Sequence, residues 1–293
     1  MATITSAGTP APGFPNPGSP VAIPRPFYGW AVHDGMVTTR RFLLQTWRVP
    51  ELIFFGLIQP VVFLLLFAYV FGGSINVGGP GSASFYREFL VPGVLVQNLA
   101  FSVVGPTVGI AEDMKRGIID RFRSLPMAPS AVLSGRTVAD LLRSAMLVIV
   151  VMIVGLLIGW RVNNGFWGWL LAFGLMLLFA YALSWVGSLI GLFMPSPEVA
   201  NTAGLIWVFP LTFISSAFVS PATMPAWMQP IAIWNPVSTV AQSCRQLFGN
   251  PTGVLGTSFP EQHPGWISII WCLGLLAVFV PLAVAKFKRS QSG

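Results

Sequence analysis

The chain has 293 residues, of which 54% are hydrophobic and only 9% charged, against about 25% charged in an ordinary soluble protein. With a mean hydropathy of +0.74, it lacks the polar surface needed to clothe a domain in water, so a soluble enzyme is excluded and lipid is the expected solvent. The net charge of +7 would suit nucleic acid as a partner, but the placement of the basic residues assigns that charge to membrane topology.

Residues 1–26 are rich in Pro, Gly, Ser, Thr and Ala and lack the uninterrupted apolar core of a signal peptide, which predicts a disordered cytoplasmic tail. Over 27–51, Trp30, Phe42, Leu43, Leu44 and Trp47 mix with Arg40, Arg41 and Arg48. That composition suits an amphipathic helix lying in the membrane interface.

Six apolar stretches follow: Leu52 to Phe71, Phe89 to Ala111, Val138 to Trp160, Phe166 to Phe193, Val199 to Val219 and Gly265 to Ala285. Each approaches the roughly 20 residues that cross a hydrocarbon core about 30 Å thick. Continuous runs such as Val61 to Phe67 lack the alternation of a barrel strand, so the fold class is an all-α membrane protein with six transmembrane helices within 52–285 and a basic cytoplasmic tail at 286–293. Pro60, Pro92, Pro106, Pro210 and Pro281 are expected to kink or unwind their helices.

Thirteen of the 16 basic residues fall in the N-terminal segment, the connection between spans two and three, and the C-terminal tail; Arg87, Arg161 and Arg245 lie on the other side. The positive-inside rule then puts both termini in the cytoplasm and the chain in the cytoplasmic membrane, with lipid but no nucleic acid as a partner. Trp160, Trp167 and Trp169 are expected to form an aromatic belt at the outer turn between spans three and four. Gly105/Gly109, Gly155/Gly159 and Gly187/Gly191 are each G-x-x-x-G pairs that let helix backbones approach, either within one subunit or across a dimer seam.

Five of the six stretches contain no Asp, Glu, Lys, Arg or His, and the third has only Asp140 and Arg143, placed in its first cytoplasmic turns. This weakens an ion-coupled carrier. None of the three lysines, Lys115, Lys286 and Lys288, follows a glycine as a Walker A loop requires. No Cys/His spacing suits a metal, so the catalytic and metal sites are both expected to be none. An intramembrane enzyme would need a nucleophile with a base, paired carboxylates or metal ligands at depth, and the spans offer none.

Between spans two and three, Met114, Ile118, Phe122 and Leu125 recur at helical spacing among charges, with Pro126 ending the pattern. A short amphipathic helix of this kind either docks on a soluble partner or lies on lipid and its own bundle. Between spans five and six, Met224 to Pro236 is too apolar for a free loop and Val237 to Phe248 reads as helical. Two short helices dipping into the outer leaflet fit, either roofing an exit or stabilising the outer face.

In Pro50-Glu51-Leu52 with Gln59-Pro60-Val61, in Glu112-Asp113 through Arg121-Phe122-Arg123-Ser124-Leu125-Pro126-Met127, and in Met224-Pro225-x-Trp227 with Asn235-Pro236, the chain resembles type-2 ABC exporter permeases of the daunorubicin-resistance type. The resemblance covers about Arg40 to Phe248. It implies a non-catalytic membrane subunit whose second-to-third connection is a coupling helix on a separate ATPase, with Glu112, Asp113, Gly117, Ile118, Arg121, Phe122 and Arg123 at that contact. It also implies outer re-entrant helices around Met224, Pro225, Trp227, Asn235 and Pro236, two ATPase subunits holding ATP and Mg, and a second permease copy or paralogue completing a dimer. No cofactor is expected in this chain.

The cargo reading is a hydrophobic or amphipathic compound such as a drug, polyketide or lipid; a lipid-linked polysaccharide, or a membrane protein without transport, are the alternatives. Phe101, Phe179, Trp185, Trp207, Phe213 and Trp271 are the candidate pathway lining, because the spans otherwise offer aromatic and apolar walls.

Overall fold

The computed structural model describes residue 39 and residues 50–70, 83–117, 129–253 and 256–289. The described residues form no strand; they form helices α1 (Pro50–Tyr69), α2 (Ala83–Phe101), α3 (Val104–Lys115), α4 (Pro129–Leu157), α5 (Gly165–Gly191), α6 (Pro197–Phe213), α7 (Gln229–Trp234), α8 (Pro236–Phe248), α9 (Phe259–Gln262) and α10 (Pro264–Arg289), with a 3-10 turn at Pro221–Thr223. Each apolar stretch read from the sequence therefore carries a helix over most of its described length. The proposed tail over 1–26 lies outside the described residues, as does most of the interfacial segment. Of that segment, Thr39 is helical and donates its hydroxyl to the Gly135 carbonyl on α4.

Among the described residues, four helical stretches are long and apolar enough to cross a membrane: Ser84–Lys115, Leu133–Leu157, Gly165–Gly191 and Pro264–Phe287. The Ser84–Lys115 stretch is α2 and α3 joined through a kink at Ser102 and Val103. Pro106 has no N–H for the Ser102 carbonyl and its ring crowds that oxygen, so Ser102 instead accepts from Gly105 N at 3.1 Å. The other two are shorter. The fifth apolar stretch does not continue to Val219: α6 has 17 residues, about 25 Å at 1.5 Å per residue, and the chain leaves helical geometry at Ile214, just beyond Pro210.

Outward faces are apolar, as lipid permits and water would not: α10 exposes Ile270, Leu273, Val278 and Leu282, and α6 exposes Ile206 and Phe209. The main core joins α2, α5 and α8 through residues such as Leu95, Leu99, Phe179, Val240 and Phe248. A second cluster, Ile110, Leu133, Trp185, Leu192, Ala283 and Phe287, closes one end of the bundle.

The three glycine pairs have three different uses. A Cβ on Gly187 or Gly191 would lie 2.5 Å from the carbonyl oxygen of Val103 or Thr107 respectively, so this pair does bring two backbones, those of α5 and α3, together. Gly155 meets the Val91 side chain, whereas Gly159 sits beyond the end of α4 at φ 99. Gly105 and Gly109 face arginine side chains, not a neighbouring backbone: a Cβ on Gly109 would occupy the guanidinium of Arg136.

The aromatic belt expected at the α4–α5 turn is also different in kind. Trp167 is exposed, but Trp160 is wholly buried, packed edge-on against Phe248 at 5.1 Å and donating Nε1 to Asn250 Oδ1 at 2.8 Å. Its indole N–H finds a protein partner, which is what allows it inside. At this end of the bundle Arg87 donates to the Ile158 carbonyl, beside Arg161. At the opposite end of α5, Lys115 faces Glu198 at 3.8 Å and Lys286 lies over Phe193.

Candidate functional site

A cavity of about 620 Å³ opens among α1, the kinked α2–α3 span and α4, with Ser184 of α5 and Asn201 of α6 at its edge. That is the volume class of small-molecule sites. Proline and glycine make the space. Pro60 of α1 and Pro106 of α3 both line it, as do Gly56, Gly105 and Gly109, whose missing side chains leave room for the arginines of α4. Phe101, Val104, Val108 and Leu147 provide apolar wall, and Gln59, Asn98, Ser102 and Ser144 provide neutral polar groups.

The wall also carries charge. Glu112, Asp113 and Arg116 come from the end of α3, and Arg136, Asp140 and Arg143 from α4. Arg116 pairs with Glu112 four residues earlier, and Arg136 pairs with Asp113 across the two helices. The sequence reading set Asp140 and Arg143 in the first turns of the third span beginning at Val138. Because α4 begins at Pro129, they lie about three turns into a 29-residue helix. Asp140 Oδ2 is buried and has no hydrogen-bond partner.

A second arrangement closes the other side of the bundle. Arg245, placed by the sequence reading in an outer loop, is wholly buried on α8. Its guanidinium donates to the carbonyls of Phe89, Ser216 and Ala217 at 2.8–2.9 Å and to Gln242 Oε1 at 3.3 Å. Residues 215–218 are non-helical yet buried, so their carbonyls need such donors. Asn235 works at the same junction: Oδ1 accepts from Val237 N to cap α8, while Nδ2 donates to the Leu211 and Ile214 carbonyls to cap α6. Gly93 of α2 leaves the space; a Cβ there would meet the Ala217 carbonyl and the Arg245 guanidinium.

A helical bundle with a polar cavity and a helix-capping insertion does not itself name a family. Residues 35–248 match the family described as ABC-2 type transporter. The chain belongs to that family. Among its relatives, the daunorubicin resistance ABC transporter permease protein DrrB1 of Streptomyces coeruleorubidus is 31% identical over 92% of this chain and 90% of its own length. The doxorubicin resistance ABC transporter permease protein DrrB of Mycobacterium tuberculosis is 25% identical over 78% of each chain.

In this ABC-2 chain, the residues singled out from the sequence fall in separate places. Glu112 and Asp113 line the cavity from the last turn of α3. Gly117, at φ 64, accounts for the end of that helix, since only glycine takes this backbone readily. Met114, on the last turn of α3, packs into the second cluster. Ile118, Arg121, Phe122 and Arg123 lie outside the described residues.

In the outer segment, Asn235 and Pro236 start α8, and Met224 accepts at its carbonyl from Gln229 Nε2. Pro225 and Trp227 are exposed. Of the six aromatic candidates the cavity takes in only Phe101, which packs edge-on against Phe209 at 5.1 Å. Phe179 is in the main core and Trp185 in the second cluster. Trp207 packs against the main core, half-exposed Phe213 stacks with Phe209, and Trp271 donates Nε1 to the Trp234 carbonyl, tying α10 to α7.

The sequence reading missed Arg245 as a buried residue, and it missed the α4 face of Arg136, Asp140 and Arg143. Their three- and four-residue spacing was the available signal for the latter.

Proposed function

We propose that the chain is the transmembrane permease subunit of an ATP-driven exporter that moves a hydrophobic or amphipathic compound across the cytoplasmic membrane, driven by a separate ATPase subunit that binds ATP and Mg. The observation that carries this reading is the family match over residues 35–248, joined to relatives whose names state drug resistance and ABC permease function. The working unit is two permeases with two ATPases. The chain crosses the membrane six times with both termini inside, α1 and α6 serving as the two shorter crossings. Separation of Lys115, Arg116 and Lys286 from Arg87 and Arg161 to opposite ends of α5 supports that sidedness. The segment Glu112 to Arg123 is the contact with the ATPase, and the α7–α8 unit is the outer re-entrant pair.

Apolar walls handle the body of the cargo. The test is co-purification with the ATPase and substrate-stimulated ATP hydrolysis in vesicles. Phe122→Ala and Arg121→Glu are expected to lose partner retention and stimulation while the permease stays monodisperse. Full retention and full stimulation in both variants would overturn the coupling assignment.

A further inference from the structure

The cavity lining holds three carboxylates, Glu112, Asp113 and Asp140, and three guanidiniums, Arg116, Arg136 and Arg143. Matched one to one they make three pairs, of which two are closed: Arg116 with Glu112 and Arg136 with Asp113. The third is open. Asp140 Oδ2 is buried without a hydrogen-bond partner, and no ion pair joins it to Arg143 three residues on, although that spacing puts both on one face of α4. Arg143 reaches instead across the cavity: its guanidinium nitrogens lie 3.6 Å and 3.9 Å from where Cβ atoms would sit on Gly105 and Gly56. The two glycines, with Pro60 and Pro106 beside them in the lining, leave room between the open carboxylate and the opposing helices.

A buried carboxylate oxygen without a donor is costly, and so is any uncompensated charge taken into a membrane-embedded space. A ligand bringing one positive donor and one negative acceptor satisfies Asp140 and Arg143 together and leaves the lining electrically balanced. A simple cation or a simple anion leaves a charge uncompensated. Beyond the charged end, Phe101, Val104, Val108 and Leu147 continue as apolar wall.

We propose that this cavity binds a zwitterionic amphiphile, its primary ammonium donating to Asp140, its anionic oxygen accepting from Arg143, and its tail lying along Phe101 and Leu147. The inference rests on the exporter reading for its transport role, but the binding step needs only this chain.

The test uses the full chain purified into nanodiscs without an ATPase, so its outcome is independent of coupling. Binding is measured for four probes of similar tail length: lysophosphatidylethanolamine and Nε-lauroyl-lysine, which are zwitterionic heads of lipid and non-lipid origin, and dodecylamine and dodecyl phosphate, whose heads carry charge of one sign only. Both zwitterions are expected to bind about tenfold or more tightly than either one-sign probe, a difference of about 1.4 kcal/mol. Binding of only one of them assigns the source as lipid or non-lipid.

Asp140→Asn is expected to erase the preference over dodecyl phosphate, and Arg143→Gln the preference over dodecylamine, each in a monodisperse protein. Equal binding of all four heads overturns the proposal. So does an unchanged preference in both variants, or a change in oligomeric state with the preference intact, which would make the open pair a contact between copies.

Discussion

The guanidinium of Arg245 lies over the Phe89 ring, 3.6 Å from its centroid, while its Nε donates to the carbonyl oxygen of the same residue at 2.9 Å. One side chain thus holds α2 by ring and backbone together and reaches the 214–220 connection with its Nη2. Arg245→Ala strands the Phe89, Ser216 and Ala217 carbonyls among apolar neighbours, and a buried acceptor left unmet costs about 1–3 kcal/mol. Arg245→Lys keeps the charge but not the planar fork, and cannot stack and bond in three directions at once. The melting temperature of the purified chain in detergent is expected to fall for Lys and further for Ala.

Asn235 separates two capping roles by substitution. Asn235→Asp keeps the acceptor for Val237 N but loses the donor to the Leu211 and Ile214 carbonyls, whereas Asn235→Ala loses both. A lost N-cap costs about 1 kcal/mol. The expected order of melting temperatures is wild type, then Asp, then Ala. Equal melting of the wild type and Ala variants removes the double-cap account.

Two glycines of membrane helices are expected to respond in opposite ways to a single methyl group. Gly109→Ala drives a Cβ into the Arg136 guanidinium and opens the pair with Asp113, while a Cβ on Gly174 meets nothing within 4 Å. Gly174→Ala is expected to be neutral or to stabilise by up to about 0.5–1 kcal/mol through backbone entropy. Gly109→Ala is expected to lower both the yield of monodisperse protein and transport.

Cysteine labelling tests the sidedness. Both native cysteines, Cys244 and Cys272, are buried, so background from an impermeant thiol reagent is low. A cysteine at exposed Asn163, on the α4–α5 turn, is expected to react in intact cells, and one at Ser124 only after permeabilisation. The reverse pattern would invert the topology.

The apolar stretches of the sequence fall on helices, four of which are long and apolar enough among the described residues to cross a membrane, because lipid demands hydrophobicity along the whole length of a crossing. Where each one ended was harder to read. Pro210 and Pro106 were visible as breakers, but how the chain responds depends on distant donors: a nearby turn bond for Ser102, and Asn235 and Arg245 for the 211–217 carbonyls. Arg245 had no local mark of burial. It sits in a segment between spans where a charge is ordinarily met by water, and its partner Phe89 is 156 residues away. The cavity was hidden for a related reason. Spacing can place Arg136, Asp140 and Arg143 on one helix face, but not the glycines of α1 and α3 that give that face its space.

The kink at Ser102 divides the second span into two rods with different attachments. The upper rod, α2, packs on α1 and α8, while the lower, α3, packs on α5 and α6. Force applied at the Lys115 end therefore loads α5 and α6 directly, and reaches α8 both through the bend and through α5, which packs on α8. The bend is itself part of the cavity wall, since Phe101, Ser102 and Val104 all border that space, so a change in its angle would alter the volume beside Asp140.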